Sequence, residues 1–409
     1  MNPESDHPAT TPVRACPVCG ATSVEVLHRQ RFSIPSECAL PDAYDVVCCE
    51  RCGMVYADTI ASQDDYDAFY RDLSKYDTPG LSTGGGDTPL DHARLAETAE
   101  FLANHLPDRS APLLDVGCGN GGLLTALAEA GFDNLEGLDP SPGCARNVRA
   151  AGFRATVGSL STATEAVAGL TGRFQYVVLS HVLEHLRDVR AGFERVVSLA
   201  RPGGLIWVEV PDASRYVEYD VVPFYYFDIE HINHFDVGSL RNLAAESGLG
   251  VVAVERKTIA VSRDLLYPAV GVLMSVPETI RTCGQLRPAE GTRTSVLQYV
   301  CHSRGHDGWA SLEQLETSGE PVAVWGAGSF AQRLMATSPL GRCAVVAFVD
   351  NDLSKQGTRL EGIAVHAPAW LKGFGGTVVV VAAFAADAIL NDIEVLRIQN
   401  RVVVVSGKK

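Results

Sequence analysis

Residues 112–122 read Pro112-Leu113-Leu114-Asp115-Val116-Gly117-Cys118-Gly119-Asn120-Gly121-Gly122. The apolar start (Leu113, Leu114, Val116) predicts a strand, the glycines a tight turn, and Leu123, Leu124, Leu127 and Ala128 a helix behind it. Gly117 and Gly119 have no Cβ, so the backbone there can pass close to a ligand. Open α/β sheets bind ligands at the carboxyl edge of their strands, which is where this turn falls. The turn alone is common to many nucleotide folds, and it also satisfies the G-x-G-x-x-G pattern of dinucleotide sites. The motifs further along the chain separate the readings.

Residues 134–139 (Asn-Leu-Glu-Gly-Leu-Asp) predict a second strand that ends in Asp139. That places an acid about 20 residues past the glycines, where a carboxylate can grip both ribose hydroxyls. Pro140-Ser141 then opens a helix. Residues 155–160 read as a third strand and 174–180 as a fourth, running into His181-Val182-Leu183-Glu184-His185. Residues 199–204 close a helix with a Pro-Gly turn, and 205–210 form a fifth strand. In this order the motifs resemble the class I methyltransferases that use S-adenosylmethionine (SAM). The resemblance implies that Asp115 and the loop with Gly117, Gly119, Asn120 and Gly121 meet the methionyl part of SAM. It implies that Asp139, with Pro140 beside it, holds the ribose, and that Ser159 and Leu160 lie near the adenine. Ser180, at the end of the fourth strand, and Tyr76, ahead of the domain, are further candidates for the cofactor pocket. Tyr76 is alternatively a packing residue. Asp115, two residues before the first glycine, and the later motifs favour SAM over NAD.

Upstream lie Cys16-Pro17-Val18-Cys19 and Cys49-Glu50-Arg51-Cys52. Each CxxC knuckle turns two thiolates toward one point, and two knuckles complete a tetrahedral shell. Gly20 and Gly53 follow the knuckles directly and relieve their turns. Cys16, Cys19, Cys49 and Cys52 are therefore expected to hold a structural Zn2+ with no open position. Cys48 is an alternative to Cys49, and Cys38 and His28 are weaker spares.

The aromatic and titratable run from 223 to 236 contains Glu230-His231 and His234. It sits where an acceptor could be held against a methyl donor. Histidine suits proton removal there, with an unperturbed pKa of about 6.5. Glu230, His231 and His181 are the catalytic candidates; a cluster that only fixes a loop is the competing reading of this segment. At 322–329 a second strand and glycine turn begin (Val-Ala-Val-Trp-Gly-Ala-Gly-Ser), followed by an acid-ending strand at 345–350 and Val-rich strands at 378–381 and 402–405. These features predict a small parallel α/β unit.

The whole arrangement resembles the sugar C-methyltransferases of deoxysugar and antibiotic pathways. That resemblance implies a nucleotide-linked ketosugar acceptor, with Glu230 and His231 matching a Tyr-x-Glu-His stretch in which a base takes the proton next to the ketone. Asp228 stands where that tyrosine would be, and Tyr225 or Tyr226 could reach the site instead. It also implies nucleotide contact near Gly326, Gly328 and Ser329, with Ala331 standing where a dinucleotide site would have its third glycine. The alternatives are O- or N-methylation of another natural-product precursor, or an NAD-dependent sugar oxidoreductase or epimerase.

The expected fold is α/β: a Rossmann-like class I domain flanked by a zinc module and a C-terminal Rossmann-like domain. The expected divisions are a disordered lead at 1–12, the module at 13–66, the methyltransferase domain at 67–258, and a mainly helical stretch leading into the C-terminal domain over 259–409. The chain has 409 residues, a net charge of −15 and 11 cysteines. No basic patch neutralises phosphates, so a nucleic-acid substrate is not expected. No apolar run long enough for a membrane span and no secretory leader stand out, so a cytoplasmic, reduced protein is expected.

Overall fold

A computed structural model describes residues 11–34, 38–73, 88–161, 164–219, 222–262, 265–279, 284–289, 291–383 and 385–405. The chain opens with three short strands, β1 (Val24–Arg31), β2 (Ala43–Cys49) and β3 (Val55–Asp58), paired antiparallel. Helices α1 (Gln63–Leu73) and α2 (Pro89–His105) follow. Thr88 caps α2 by accepting from the Asp91 amide, with Pro89 in the first turn, where a missing N–H is no loss.

The central unit alternates strand and helix: β4 (Leu113–Val116), α3 (Gly122–Glu129), β5 (Leu135–Asp139), α4 (Pro142–Ala150), β6 (Arg154–Val157), α5 (Glu165–Ala168), β7 (Phe174–Ser180), α6 (Val189–Leu199) and β8 (Ala200–Pro211). After a two-residue strand β9 (Asn233–His234) and helix α7 (Val237–Glu246) comes a long hairpin, β10 (Gly250–Ser262) and β11 (Leu265–Ser275). The seven strands are ordered β10-β11-β8-β7-β4-β5-β6. β4 to β8 run parallel, and β11 is wedged antiparallel between β8 and β10. β4 and β5 are buried along their whole length, although they carry Asp115, Glu136 and Asp139.

Two expectations change here. Residues 259–262 and 265–275 are strand, so a boundary at 258 would cut β10; among the described residues helix resumes at α8 (Thr292–Arg304) and α9 (Gly308–Ser318). The run 265–274 is apolar throughout, and periodicity cannot tell a doubly buried strand from a buried helix. The Pro-Gly turn at 201–204 is a bulge inside β8, because the register passes from Phe174–Ala200 directly to Tyr176–Leu205.

The C-terminal unit holds β12 (Val322–Trp325), α10 (Ser329–Thr337), β13 (Val345–Val349), β14 (Arg359–Leu360), β15 (Ile363–His366), β16 (Thr377–Val381), α11 (Ala386–Val395) and β17 (Val402–Val405). Its sheet order is β14-β15-β13-β12-β16-β17, parallel except at β14. The three units share their interiors. One continuous apolar cluster runs from Leu27 and Tyr44 through Tyr226 and Ile232 to Val324 and Val379. No helix among the described residues is long and apolar enough to cross a membrane.

Candidate active site

The carboxyl ends of β4, β5, β6 and β7 lie side by side and form one rim. At the end of β4, Gly117 passes so close to Val182 that a Cβ would meet its Cγ2 at 2.5 Å, whereas a Cβ on Gly119 would meet nothing within 4 Å. The loop is thus tied down on the sheet side and open on the other. Asp139 ends β5 and fastens the loop: Gly119 donates its amide to Oδ2 at 2.9 Å and Ser141 donates to Oδ1 at 2.8 Å. An ionised carboxylate offers about four lone pairs, so acceptor capacity is left over for a ribose. Asp115, 2% exposed, lies beneath the loop. Burial, reinforced by the charge of Asp139, pushes its carboxyl up to about 8. A cationic ligand is what such a buried pair of carboxylates favours.

The other expected cofactor residues fall around this rim. Asn120 accepts from Asn147 at 2.9 Å, Gly121 opens α3, and Pro140 is exposed. Ser159 pairs with the Ser161 hydroxyl at 2.7 Å, and Leu160 is buried. Ser180 donates to Glu209 at 3.2 Å. Tyr76 lies outside the described residues.

His181 emerges next to the glycine loop, because β7 is paired with β4. Its φ of 57° is left-handed, a strained setting for a side chain and one found at functional sites. Its Nδ1 lies 3.0 Å from Glu184 Oε1 and its Nε2 3.5 Å from Glu209 Oε1. Burial works against the imidazolium, but hydrogen bonds from Glu184 and Glu209 outweigh it and hold the pKa above its ordinary value. Glu209 is itself fully buried and takes Lys257 Nζ at 2.6 Å and Thr98 Oγ1 at 3.2 Å. Burial opposes its charge, but Lys257 and His181 keep it ionised, well below the usual carboxylate range.

The segment 230–234 folds back over this rim. His231 stands edge-on to His185 with ring centres 4.7 Å apart, and both gather around Glu184. Glu230 contributes its backbone: its carbonyl faces His185 Nδ1 at 3.2 Å and its amide donates to Asp228 at 3.2 Å. Glu184, rather than Glu230, is thus the carboxylate that gathers with His231 and His185. Asp228 is bound to the buried Arg333 of α10 at 2.7 Å, so it clamps the C-terminal unit. Tyr225, half-buried, and Tyr267 meet edge to face at 6.1 Å, and Tyr267 lies 6.2 Å from His181. Tyr226 stacks on Tyr216 and is buried. His234 is buried in β9 beside Tyr216 and Phe227, a packing position.

The segment is held by the N-terminal module. β9 adds to β3 as a fourth strand, pairing His234 with Val55. Arg14, 1% exposed, donates to the carbonyls of Ala57, Leu186, Arg187 and Ile232 and to Asn233 Oδ1. Asn233 in turn donates to the carbonyls of Leu183 and Leu186. Glu184, Glu209, Lys257, Arg14 and Asn233 were not among the sequence candidates. The signals available were the charged residue inside the apolar run Val208-Glu209-Val210 and, for Glu184, its place in the Leu183-Glu184-His185 motif.

At the knuckles, the four sulfurs of Cys16, Cys19, Cys49 and Cys52 lie within 4.8 Å of one another. Cys16–Cys52 is 3.6 Å and Cys19–Cys49 3.5 Å, against about 3.8 Å for the edge of a tetrahedron with 2.3 Å zinc–sulfur bonds. The donor set and its geometry fit Zn2+. Gly20 and Gly53 take φ of 71° and 76°, the left-handed backbone that the knuckles need. Cys48 packs in the other apolar cluster, away from these sulfurs, and His28 stacks on Phe224.

In the C-terminal unit the glycine turn repeats the geometry of the first. Ala327 donates its amide to Asp350 Oδ2 at 2.8 Å, and Asp352 donates to Oδ1 at 2.9 Å. Gly328 caps α10, and Lys355 Nζ reaches to 3.3 Å from Asp350. Ser329 begins α10 and Ala331 is buried in it.

Residues 90–254 match the family described as the methyltransferase domain. Residues 319–404 match a second family, described as C2185-like, N-terminal. Among curated relatives, a ubiquinone biosynthesis O-methyltransferase of Methylocella silvestris is 35% identical over 161 residues, covering 33% of this chain and 61% of the relative. One of the same description from Cereibacter sphaeroides is 34% identical over 125 residues, covering 29% and 49%. The chain therefore spans about half to three-fifths of the length of these relatives. Of solved structures, a Burkholderia thailandensis 1,6-didemethyltoxoflavin-N1-methyltransferase with bound S-adenosylhomocysteine aligns at TM-score 0.40 and 19% identity, covering 56% of this chain and 97% of that one.

Proposed function

We propose that the chain transfers a methyl group from SAM to a small-molecule acceptor. The observation that carries this reading is the shared rim: a glycine loop open at Gly119, fastened by Asp139, directly beside the His181–Glu184–Glu209 group. SAM supplies a methyl group on a positively charged sulfur, which makes carbon open to attack by the acceptor. The chain's residues do the rest. Asp139 and the loop amides orient the ribose end, and ionised Asp115 offsets the ligand's positive charge. Glu184 fixes the His181 ring through Nδ1, and Nε2, the more loosely held nitrogen at 3.5 Å from Glu209, turns to take the acceptor's proton. Tyr225 and Tyr267 give the acceptor an apolar wall with phenol tips. Four thiolates at the knuckles hold a structural zinc that stiffens the module.

For the acceptor we infer a nucleotide-linked sugar, with methylation at carbon. The twin glycine turn at Gly326–Ser329, closed on Asp350 as the first is closed on Asp139, supports a second nucleotide handle. The ion pair of Asp228 with Arg333 removes that position from the chemistry, so a phenol from Tyr225 or Tyr267 would have to serve a ketosugar. The names of the relatives favour a second reading, O-methylation of a hydroxylated small molecule. Calorimetry with SAM, NAD and a panel of nucleotide sugars tests all of this. Binding of SAM together with a nucleotide sugar supports the first reading, SAM alone the second, and NAD alone overturns both.

A further inference from the structure

Behind His181, three side chains from two distant segments converge. Glu184, His185 and His231 each offer one ligand atom, and these atoms lie within 4.8 Å of one another. Glu184 is 0% exposed. Its Oε1 is engaged by His181, but its Oε2 is buried with no hydrogen-bond partner among the described residues. A buried carboxylate oxygen left so is costly unless a cation or donor completes it. His185 faces the Glu230 carbonyl through Nδ1 at 3.2 Å. Donation there fixes the tautomer and leaves Nε2 as the lone-pair nitrogen, the usual way a ligating histidine is oriented. Arg14 and Asn233 pin the backbone of both segments, so the convergence is built rather than incidental.

We propose that Glu184, His185 and His231 form a divalent transition-metal site, distinct from the four-cysteine site. Two imidazoles and a carboxylate suit Mn2+, Fe2+, Co2+ or Zn2+, whereas Mg2+ and Ca2+ prefer all-oxygen sets. Ligand atoms 2.0–2.2 Å from one ion stand about 3–3.5 Å apart. The groups therefore close by about 1 Å on binding, within reach of ring rotation at the half-buried His185 and His231. Three protein ligands leave positions open for an oxygen of the acceptor. On the methyl-transfer reading, an ion there acidifies the acceptor. His181 takes the proton, the acceptor bonds to the methyl carbon, and the S–C electron pair stays on the departing S-adenosylhomocysteine. The ion site itself does not depend on that reading.

The test is a Mn2+ titration of the full-length, zinc-loaded protein, with free Mn2+ read by electron paramagnetic resonance; a thiolate site selects softer ions, so the signal reports the nitrogen and oxygen site. SAM binding is measured by calorimetry on the same samples. One Mn2+ bound per chain, weakened at least about tenfold by His231→Ala and by Glu184→Gln, is the expected result. His231→Ala, at a half-buried position, keeps the comparison open if Glu184→Gln does not fold. No binding at millimolar Mn2+, or equal binding by wild type and His231→Ala, overturns the site. Either failure with SAM binding retained leaves the methyl-transfer reading standing.

Discussion

Asp115 is a carboxylate that folding places out of reach of water and beside a second carboxylate. Its folded pKa of about 8 lies above the unfolded value of about 3.9. The folded state therefore holds the extra proton between these values, and its stability declines as the pH rises from about 4 to about 8. Asp139 and Cys118 are the titratable groups that face it. Asp115→Asn should raise the unfolding temperature at pH 8 while leaving it nearly unchanged at pH 4, by scanning calorimetry. SAM binding should strengthen from pH 6 to 8 in wild type, because the ionised form is the one that pairs with a cation, and the Asn variant should lose this dependence. Asp139→Ala should weaken SAM binding by about 1.5–3 kcal/mol, the loss of charge-assisted hydrogen bonds; unchanged affinity would remove Asp139 from the ribose. The position of Asp139 was legible in the sequence because the end of a strand is a local property. Glu184 was not, because beyond its local partner His181 the carboxylate is gathered with His231, which returns from 47 positions downstream.

At the scale of elements, the cofactor rim and the acceptor rim have different origins. The first is made by β4 and β5 with their own turns; β4 was readable from Leu113, Leu114 and Val116, and β5 from the acid that ends it. The second needs β9, a two-residue strand with no period to detect, which forms only because β3 offers it an edge. β11 was missed because it is buried without a break from Tyr267 to Met274, which erases the alternation that marks a strand. Arg14 is the fastener between these elements, and Arg14→Ala removes its donors from several buried acceptors, among them the Arg187 carbonyl and Asn233 Oδ1. The variant should be at least about 2 kcal/mol less stable in denaturant melts. Where it folds, kcat should fall by about 10²-fold, the effect of a misplacement of about 1 Å, while SAM affinity stays within about threefold. A matched loss of SAM binding would show that Arg14 supports the whole domain instead.

Across the molecule, the shared interiors make the N-terminal module part of the site rather than an appendage. Two buried histidines sit at its seams. His28, against Arg304, Gln30, Phe224 and Phe227, is lowered to about 4 by burial and then by Arg304. His234, against Arg14 and Tyr216, is lowered to about 3 by burial and then by Arg14. Their unfolded pKa is about 6.5, so the stability they contribute is complete above that pH and is lost as the pH falls toward 4 and 3. Acid melts should therefore lose the module and the 230–234 segment together. Metal removal should act on the same seam at neutral pH. If the knuckles hold the proposed zinc, a strong chelator should free β2 and β3, and β9 should lose the edge that holds it. The expected outcome is loss of methyl transfer with SAM affinity largely kept, because the Gly117–Asp139 rim belongs to the seven-stranded sheet and the module's strands to the four-stranded one. Transfer that survives with the zinc gone would mean that the aromatic core shared by Tyr44, Tyr226 and Ile232 holds the segment without the metal.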